Sequence, residues 1–319
     1  MKTHLICLTI DTDPDGLSGP TVNRQSLEFN ALEQLRKLPA WLLNSQHLKE
    51  WHIPVTWFVR ADDQIQLAFG DPMHLFHRFE DLFSQAAELG HELGWHPHLY
   101  TINPHNPTNV EIASETIACD QINRVWQHVQ KAPKAIVCFR NGEGWHTPAT
   151  LDCVEKLGLL YDSTAIPGRR RHDGHPLNWQ HSENQPWFPS PTDIQRPIRN
   201  RPLLELPLNT WLVQAPYDAE PKLRYMAPSV HPQIFAQSLV RWNAGSLATS
   251  NLHVWVLICH PDELVPLRGP DKLFARSPDS LCRNLRMLAR HLQNQGHQVE
   301  FVSLRTAGER WKASLESPA

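Results

Sequence analysis

The chain has 319 residues, of which 41% are hydrophobic, so it can bury a substantial core in one large α/β domain or two smaller ones. Its formal net charge of −3 offers no basic field, so neither nucleic acid nor an anionic membrane surface is an expected partner. No apolar run approaches the roughly 20 residues that a membrane span needs, and small or neutral molecules are the expected ligands.

Apolar or β-rich runs alternate along the chain with helix-like segments. The predicted strands are residues 5–10, 55–59, 91–96, 135–139, 159–162, 203–206, 254–259 and 299–304. The predicted helices are residues 27–50, 73–89, 110–131, 147–157, 232–248 and 271–295, and Gly90, Gly158 and Gly296 are placed like helix stops. This alternation predicts βα units around a parallel sheet, and seven or eight such units indicate a barrel.

The cysteines and the first residues bear on the compartment. Six cysteines are dispersed without a CxxC pair, and three lie in apolar strand-like runs, where cysteine acts as a small hydrophobe. Met1 leads into the first strand without an apolar signal segment. We therefore expect a reduced, cytoplasmic protein. Nothing in the sequence indicates an oligomeric state.

The first predicted strand ends abruptly in two carboxylates, Asp11 and Asp13. Side chains of a strand alternate faces, so the two can project the same way from its carboxyl end. This end of the strands carries the chemistry in α/β folds. The competing interpretation is a solvated turn, because residues 14–16 read Pro-Asp-Gly.

A histidine-rich segment follows the third predicted strand. In extended backbone His96 and His98 lie on one face, and with Asp13 they supply the nitrogen and oxygen ligands that zinc or another borderline divalent metal prefers. Pro97 favours β or polyproline backbone at His96. We therefore expect His98 as the third ligand, with Tyr100 lining the pocket.

Two more strand ends are polar. Arg140 follows the fourth predicted strand, where a guanidinium can hold a carboxylate in a bidentate pair. Its alternative interpretation is a surface arginine in a helix-entry loop. His260 follows the fully apolar strand at 254–259, and a histidine there can titrate near neutrality.

Residues 165–202 break the alternation of strands and helices and are rich in Pro, Arg, His and Asn. A structureless linker of this length is uncommon inside a compact domain, so we expect an ordered functional loop within one domain spanning residues 1–319. Trp145, Trp187 and Trp211, in or near predicted loops, are candidates for stacking on sugar rings.

Taken in order, these motifs resemble the polysaccharide deacetylase superfamily, the fold of carbohydrate esterase family four. The matching segments are Thr-Ile-Asp-Thr-Asp at 9–13, Gly-His-Glu-Leu-Gly-Trp-His at 90–96, Phe-Arg at 139–140 and Ile-Cys-His-Pro at 258–261. The match extends from about residue 4 to about residue 304. The resemblance implies an α/β fold, a distorted (β/α) barrel of about seven strands.

The resemblance also implies metal-dependent hydrolysis of an N- or O-acyl group on a carbohydrate, a related glycan or a small amide. Asp11 would be the general base, Asp13 and His96 metal ligands, and Arg140 the residue that orients Asp11. His260 would be the general acid. The expected cofactor is a divalent metal, first of all zinc, with cobalt, nickel, manganese or iron as alternatives.

One departure from the family pattern leaves a second interpretation open. The second metal histidine of the family follows the first by four residues, and here that position is Tyr100. A deacetylase-like barrel that has lost catalysis and serves as a carbohydrate-binding or scaffold protein is therefore the alternative. A haloacid dehalogenase-type phosphatase also begins with Asp-x-Asp after a strand, but the late strand ending in His260 and Pro261 disfavours it.

Overall fold

The computed structural model describes residues 1–15, 27–132, 134–199, 201–242, 251–267 and 269–316. Fourteen strands lie within these ranges. They are β1 (Thr3–Asp11), β2 (Val55–Arg60), β3 (Glu92–His96), β4 (Tyr100–Asn103), β5 (Asn106–Ile112), β6 (Cys138–Phe139), β7 (Tyr161–Asp162), β8 (Phe188–Pro189), β9 (Pro197–Ile198), β10 (Leu204–Glu205), β11 (Thr210–Val213), β12 (Lys222–Tyr225), β13 (Leu252–Cys259) and β14 (Gln298–Phe301).

Eight of these strands form one sheet in which every pairing is parallel. Seven run in the order β10–β7–β6–β3–β2–β1–β13, and β14 pairs with the first half of β1. The remaining strands form three antiparallel hairpins, β4–β5, β8–β9 and β11–β12. Parallel strands covered on both faces read as continuous apolar runs, and every residue of β2 is buried.

The barrel is incomplete between β10 and β13, which no strand pairing joins within the described residues. Irregular backbone crosses this opening instead. The Asn209 N–H donates to the Val256 carbonyl at 3.1 Å, and the Met226 N–H donates to the Asn209 carbonyl at 2.7 Å. The predicted distorted (β/α) barrel of about seven strands is therefore confirmed. The single-domain organisation over residues 1–319 stays a prediction.

Eleven α-helices lie in the described ranges. They are α1 (Asn30–Gln34), α2 (Leu38–Asn44), α3 (Asp63–Phe69), α4 (His74–Arg78), α5 (Glu80–Glu88), α6 (Glu115–Val129), α7 (Pro148–Lys156), α8 (Pro232–Arg241), α9 (Pro261–Leu264), α10 (Pro278–Asn294) and α11 (Leu304–Glu316). None of them is long and apolar enough to cross a membrane. Gly90, Gly158 and Gly296 each have φ between 80° and 83° just after a helix, which confirms their predicted role as stops.

Several predicted helix bounds were wrong for local reasons. The helix expected at 110–131 begins only at α6, because residues 106–112 pair with β4 and Ser114 then caps the helix by accepting from the Ile117 N–H. The helix expected at 271–295 begins at Pro278, after the cap residue Ser277. The segment at 27–50 is broken into α1, a 3₁₀ turn and α2, and that at 73–89 is broken at Phe79. Part of the helix expected at 232–248 lies outside the described residues.

Asp162 and Glu205 form a fully buried carboxyl pair where β7 and β10 run side by side. Thr164 Oγ1 donates to Asp162 Oδ1 at 2.7 Å, and the Ala165 N–H donates to Glu205 Oε1 at 3.0 Å. His146 Nε2 lies 3.2 Å from Asp162 Oδ2. Burial, and then the Asp162 carboxylate, raise the pKa of Glu205 well above its ordinary value. Burial and the neighbouring carboxylate therefore both favour the neutral form of Glu205.

Glu205→Gln should flatten the dependence of the free energy of unfolding on pH. Because the folded pKa of Glu205 exceeds the unfolded value, its contribution is complete below about pH 4.5 and is lost as the pH rises towards the folded pKa, by up to about 1.4 kcal/mol per pH unit. Urea unfolding at pH 5 and pH 8 measures this loss, which the variant should lack. Glu220→Gln, at an exposed position, is the control. Equal losses in the wild type and Glu205→Gln would contradict the assignment.

Candidate active site

The register of the parallel sheet brings the predicted residues to one edge. β1 and β13 are paired up to the residues just before Asp11 and His260, so these two side chains leave the sheet side by side. β3 and β6 are paired up to the residues just before His96 and Arg140. All four lie at the carboxyl ends of their strands, where the strand order of an α/β barrel gathers polar side chains.

Asp11 is held by the buried guanidinium of Arg140. Nη1 of Arg140 donates to Asp11 Oδ1 at 2.6 Å and to Thr9 Oγ1 at 2.8 Å. Its Nε and Nη2 donate to the carbonyl and hydroxyl of Ser163, both at 2.8 Å. The guanidinium also lies 4.0 Å from the centroid of the Phe58 ring. One oxygen of Asp11 is therefore fixed, and the other faces the site.

Asp13 and His96 meet beside this pair. His96 Nδ1 donates to the Arg140 carbonyl at 2.9 Å, which fixes the plane of the ring. Its Nε2 lies 3.6 Å from Asp13 Oδ1 and 3.7 Å from Asp11 Oδ2. Asp11 and Asp13 are 2% and 7% exposed, so neither belongs to a solvated turn. Burial alone would raise the pKa of Asp13, but the rings of His98 and His96 lower it well below its ordinary value.

His98 completes the group, and Tyr100 holds it from behind. His98 Nε2 lies 2.9 Å from Asp13 Oδ1, and its Nδ1 lies 2.8 Å from the Tyr100 hydroxyl, which in turn donates to Glu143. Burial and the Glu143 carboxylate raise the pKa of Tyr100 well above its ordinary value, so the phenol stays neutral. Tyr100 therefore orients His98 through Nδ1 and leaves Nε2 directed at Asp13.

The three side chains fit a divalent metal. The ligand atoms of Asp13, His96 and His98 lie within 4.8 Å of one another, and the two buried Nε2 atoms face the same oxygen of Asp13, at 3.6 and 2.9 Å. Each Nδ1 is engaged on the far side of its ring, so the lone pair of the neutral ring is on Nε2. Burial lowers the pKa of His98, but Asp13 raises it to about 9, so metal binding would displace a proton.

His260 lies at the mouth of the site and is oriented by a carboxylate. Its Nδ1 lies 2.8 Å from Glu263 Oε1, and Glu263 Oε2 accepts from the Ser229 hydroxyl at 2.5 Å. His260 Nε2 lies 3.8 Å from Asp13 Oδ2. Burial alone would lower the pKa of His260, but Glu263, and then Asp13 and Asp11, raise it to about 10. At neutral pH the ring therefore carries a proton on Nε2.

The sequence-based interpretation missed Arg60 and Asp62, which support the same site. Arg60, 1% exposed, donates through Nε to Asp62 at 2.8 Å and through Nη1 to Asp13 at 3.3 Å. Asp62 also accepts from the backbone N–H of His98 at 3.0 Å. A signal was present, because β2 is an apolar strand that ends in charged residues just as the strand before Arg140 does.

The tryptophans proposed for sugar stacking do not line the site. Trp145, Trp187 and Trp211 are 1%, 3% and 4% exposed and pack in the core, so that interpretation is wrong. Trp187 Nε1 instead donates to the Ile194 carbonyl at 2.9 Å, a hydrogen bond between two residues of the loop at 165–202.

Gly142→Ala should weaken metal binding by displacing His98. A Cβ at Gly142 would meet three atoms of the His98 ring at 2.0 to 2.6 Å, so the ring must move. Disturbed support of a ligand typically costs about 10- to 100-fold in metal affinity, which competition with a chelator measures. In a His98→Ala background the same change should cost no stability, because the clashing ring is gone. Unchanged metal affinity in Gly142→Ala would contradict the geometry.

Comparison with known proteins places the fold. No family model matches the chain, and no curated protein matches it. A candidate glycoside hydrolase/deacetylase from Parabacteroides distasonis aligns with a TM-score of 0.62 at 14% identity, over 98% of this chain and 71% of that one. A candidate polysaccharide deacetylase from Mycobacterium smegmatis aligns at 17% identity, over 99% and 93%, with a TM-score of 0.49. A family 4 carbohydrate esterase from Streptomyces lividans aligns at 13% identity, over 95% and 94%, with a TM-score of 0.38.

The molecule therefore belongs to the class of α/β proteins built on an incomplete (β/α) barrel with a polar site at the carboxyl ends of its strands. Among solved structures, its fold is that of the glycoside hydrolase/deacetylase type found in Parabacteroides distasonis. At 14% identity this similarity defines the fold, and the activity must be argued from the site.

Proposed function

We propose that this protein is a metal-dependent hydrolase that removes an N- or O-acyl group, such as acetyl, from a carbohydrate or a related small amide. One observation carries the proposal. Asp13, His96 and His98 bring three ligand atoms together, and the two buried Nε2 atoms face one carboxylate oxygen of Asp13. An oriented carboxylate and an oriented imidazole stand next to this group.

Asp13, His96 and His98 would hold the metal, and zinc suits this donor set best. When bound, a divalent metal lowers the pKa of a water molecule to about 7 and polarises a carbonyl. The side chains around it exclude solvent, since Asp13, His96 and His98 are all less than a tenth exposed. Charges and dipoles act more strongly in such a site than in water.

Asp11 would be the general base. Arg140 occupies its Oδ1 and leaves Oδ2 facing the metal ligands, 3.7 Å from His96 Nε2. In this position Oδ2 can take a proton from a water attacking the acyl carbon. Arg140 would then act as a positioning residue, because it donates four hydrogen bonds to Asp11, Thr9 and Ser163 and touches no reacting atom in this scheme.

His260 would be the general acid. Cleavage leaves an amine or alkoxide that must gain a proton, and the protonated Nε2 of His260 lies 3.8 Å from Asp13 Oδ2, while Glu263 holds the other ring nitrogen. Glu263 keeps that proton on the ring at neutral pH. The roles assigned to Asp11, Arg140 and His260 are those the family resemblance implies.

The alternative, a non-catalytic barrel that binds carbohydrate, depended on Tyr100 in the usual ligand position. Here Tyr100 contacts His98 rather than standing in for it, and His98 supplies the nitrogen. This arrangement supports a complete ligand set and hence the hydrolase. A cytoplasmic location stays a prediction.

Elemental analysis with an acyl-hydrolysis assay tests the proposal. The purified protein, after incubation with zinc and dialysis, should hold about one zinc per chain and release acetate from acetylated sugars. His98→Ala should lose the metal, whereas Tyr100→Phe, which removes only the hydroxyl contact, should keep most of it. Full occupancy in His98→Ala would overturn the ligand assignment. A metal-loaded protein that releases no acyl group from any acylated sugar or amide would favour the binding protein.

A further inference from the structure

A cavity of about 330 Å³ opens beside the candidate active site, behind the β11–β12 hairpin. Part of its wall is apolar, with Leu223, Val230, Leu273 and Phe274, and Lys222 and Arg224 also line it. Arg169, from the arginine-rich part of the loop at 165–202, also lines it. The loop at 165–202 therefore contributes a charged side chain to this cavity.

The cavity adjoins the site through two shared elements. Tyr225 lines the cavity, and its ring centroid lies 6.2 Å from that of His260. Ser229, which bonds Glu263, directly precedes the cavity residue Val230. A substrate with its acyl group beside His260 can therefore extend past Tyr225 into the cavity.

Within the described part of the chain, Arg169 has no anionic partner, whereas three other cations of this region have one. Lys222 and Arg224 both pair with Asp218, at 3.3 and 2.9 Å, and Arg171 pairs with Asp173. Among the described residues, no hydrogen bond or ion pair reaches the guanidinium of Arg169. Burial lowers its pKa below the ordinary arginine value, which is the signature of a desolvated charge. A half-buried cation without an anion is costly unless a ligand supplies one.

The backbone presents Arg169 rigidly. The Arg169 N–H donates to the Ile166 carbonyl at 3.1 Å, closing a turn whose central residues are Pro167 and Gly168, the latter with φ of 78°. The Gly168 N–H donates to the Trp179 carbonyl at 2.8 Å, and the Trp179 N–H donates to the Arg169 carbonyl at 2.7 Å. The backbone from which the Arg169 side chain extends is thus fixed, so a ligand would need to order only the side chain.

We propose that Arg169 binds a carboxylate of the substrate, so that the enzyme acts on acylated molecules carrying a negative charge, such as acylated uronic acids. This inference rests on the proposed function and adds its substrate class. A guanidinium presents parallel donors that match a carboxylate. The apolar walls accept the uncharged remainder of the substrate. Lys222 and Arg224 also line the cavity, but both are paired with Asp218, which leaves Arg169 as the cation without an anion among the described residues.

Two acetylated sugars that differ only at C6 provide the first test: N-acetylglucosaminuronate and N-acetylglucosamine, each as its methyl glycoside. Arg169→Gln should lower the ratio of kcat/KM for the uronate over the neutral sugar by about 10- to 100-fold, mainly through KM, as loss of a charge-assisted hydrogen bond implies. Arg170→Gln is the matched control, because Arg170 is the exposed neighbour in the same triplet and does not line the cavity. Arg169→Lys keeps the charge, so its kcat/KM ratio should lie between those of the wild type and Arg169→Gln. This variant guards against a folding defect in Arg169→Gln.

A second test separates this inference from the proposed function. Methyl glucuronide has no acyl group to lose, so calorimetry can measure its binding to the zinc-loaded protein, with methyl glucoside for comparison. Binding of the glucuronide that Arg169→Gln weakens and Arg170→Gln does not would support the carboxylate site even if no acyl hydrolysis is found. An unchanged substrate ratio in Arg169→Gln, or equal losses in both variants, would overturn the inference while leaving the hydrolase intact.

Discussion

Asp11→Asn is expected to keep the metal and to lose turnover by about 10²- to 10⁴-fold, the usual contribution of a general base. Asparagine is close in size and can still accept from Arg140, so the fold should survive. It cannot take a proton from water at neutral pH. Asp11 is not one of the three expected metal ligands, which are Asp13, His96 and His98, so the metal should stay bound.

Asp13→Asn is the matched comparison, since it makes the same chemical change two residues along the strand end. Asp13 lies within 3.6 Å of Nε2 of both histidines, so this variant should lose metal and activity together. Asp11→Asn should therefore keep its zinc but release little acetate, whereas in Asp13→Asn zinc content and acetate release should both fall. If Asp11→Asn loses its zinc as completely as Asp13→Asn, the assignment of base and ligand is wrong.

His260→Ala is expected to lower kcat by about 10²- to 10⁴-fold while changing KM little, because a general acid acts in the transition state. The side chain is not among the expected metal ligands, so zinc content should be unchanged. The loss of turnover is expected because Nε2 of His260 is directed into the site while Glu263 holds Nδ1 at 2.8 Å. Normal turnover in zinc-loaded His260→Ala would remove it from the mechanism.

Glu263→Gln offers a finer measurement on the same pair. Glu263 raises the pKa of His260 to about 10, so the protonated ring is present below that pH and is lost as the pH rises through it. Without the carboxylate, the alkaline limb of the kcat profile should move to lower pH. A profile that stays in place would show that the carboxylate does not set the ionisation of His260.

The positions of Asp11, Asp13, His96 and His260 could be predicted because they depend on local patterns. Each follows an apolar run, and a parallel strand of that kind ends at one edge of the sheet. In the sheet β13 and β1 are neighbours, and β3 follows on the other side of β2. The assignment of chemical roles came from the family resemblance and stays a prediction.

Element bounds were less predictable, because local periodicity competes with pairing to distant segments. Residues 110–112 continue the periodicity of α6, yet they pair with β4 in a hairpin. The terminal helix α11 (Leu304–Glu316) was not predicted from the sequence. A hairpin partner or a cap residue such as Ser114 decides where a helix begins.

The sequence by itself determined the alternation of strands and helices, the barrel and the polar strand ends, because residue periodicity and strand order act over short distances. Only the tertiary structure decided which groups stand behind those residues. Tyr100 bonds His98 and then Glu143, 43 residues away, and Arg140 reaches Asp11 across 129 residues. Among the described residues Arg169 has no anionic partner, whereas Arg171, Lys222 and Arg224 each have one. Such contacts arise where packing joins distant segments, and no local pattern specifies them.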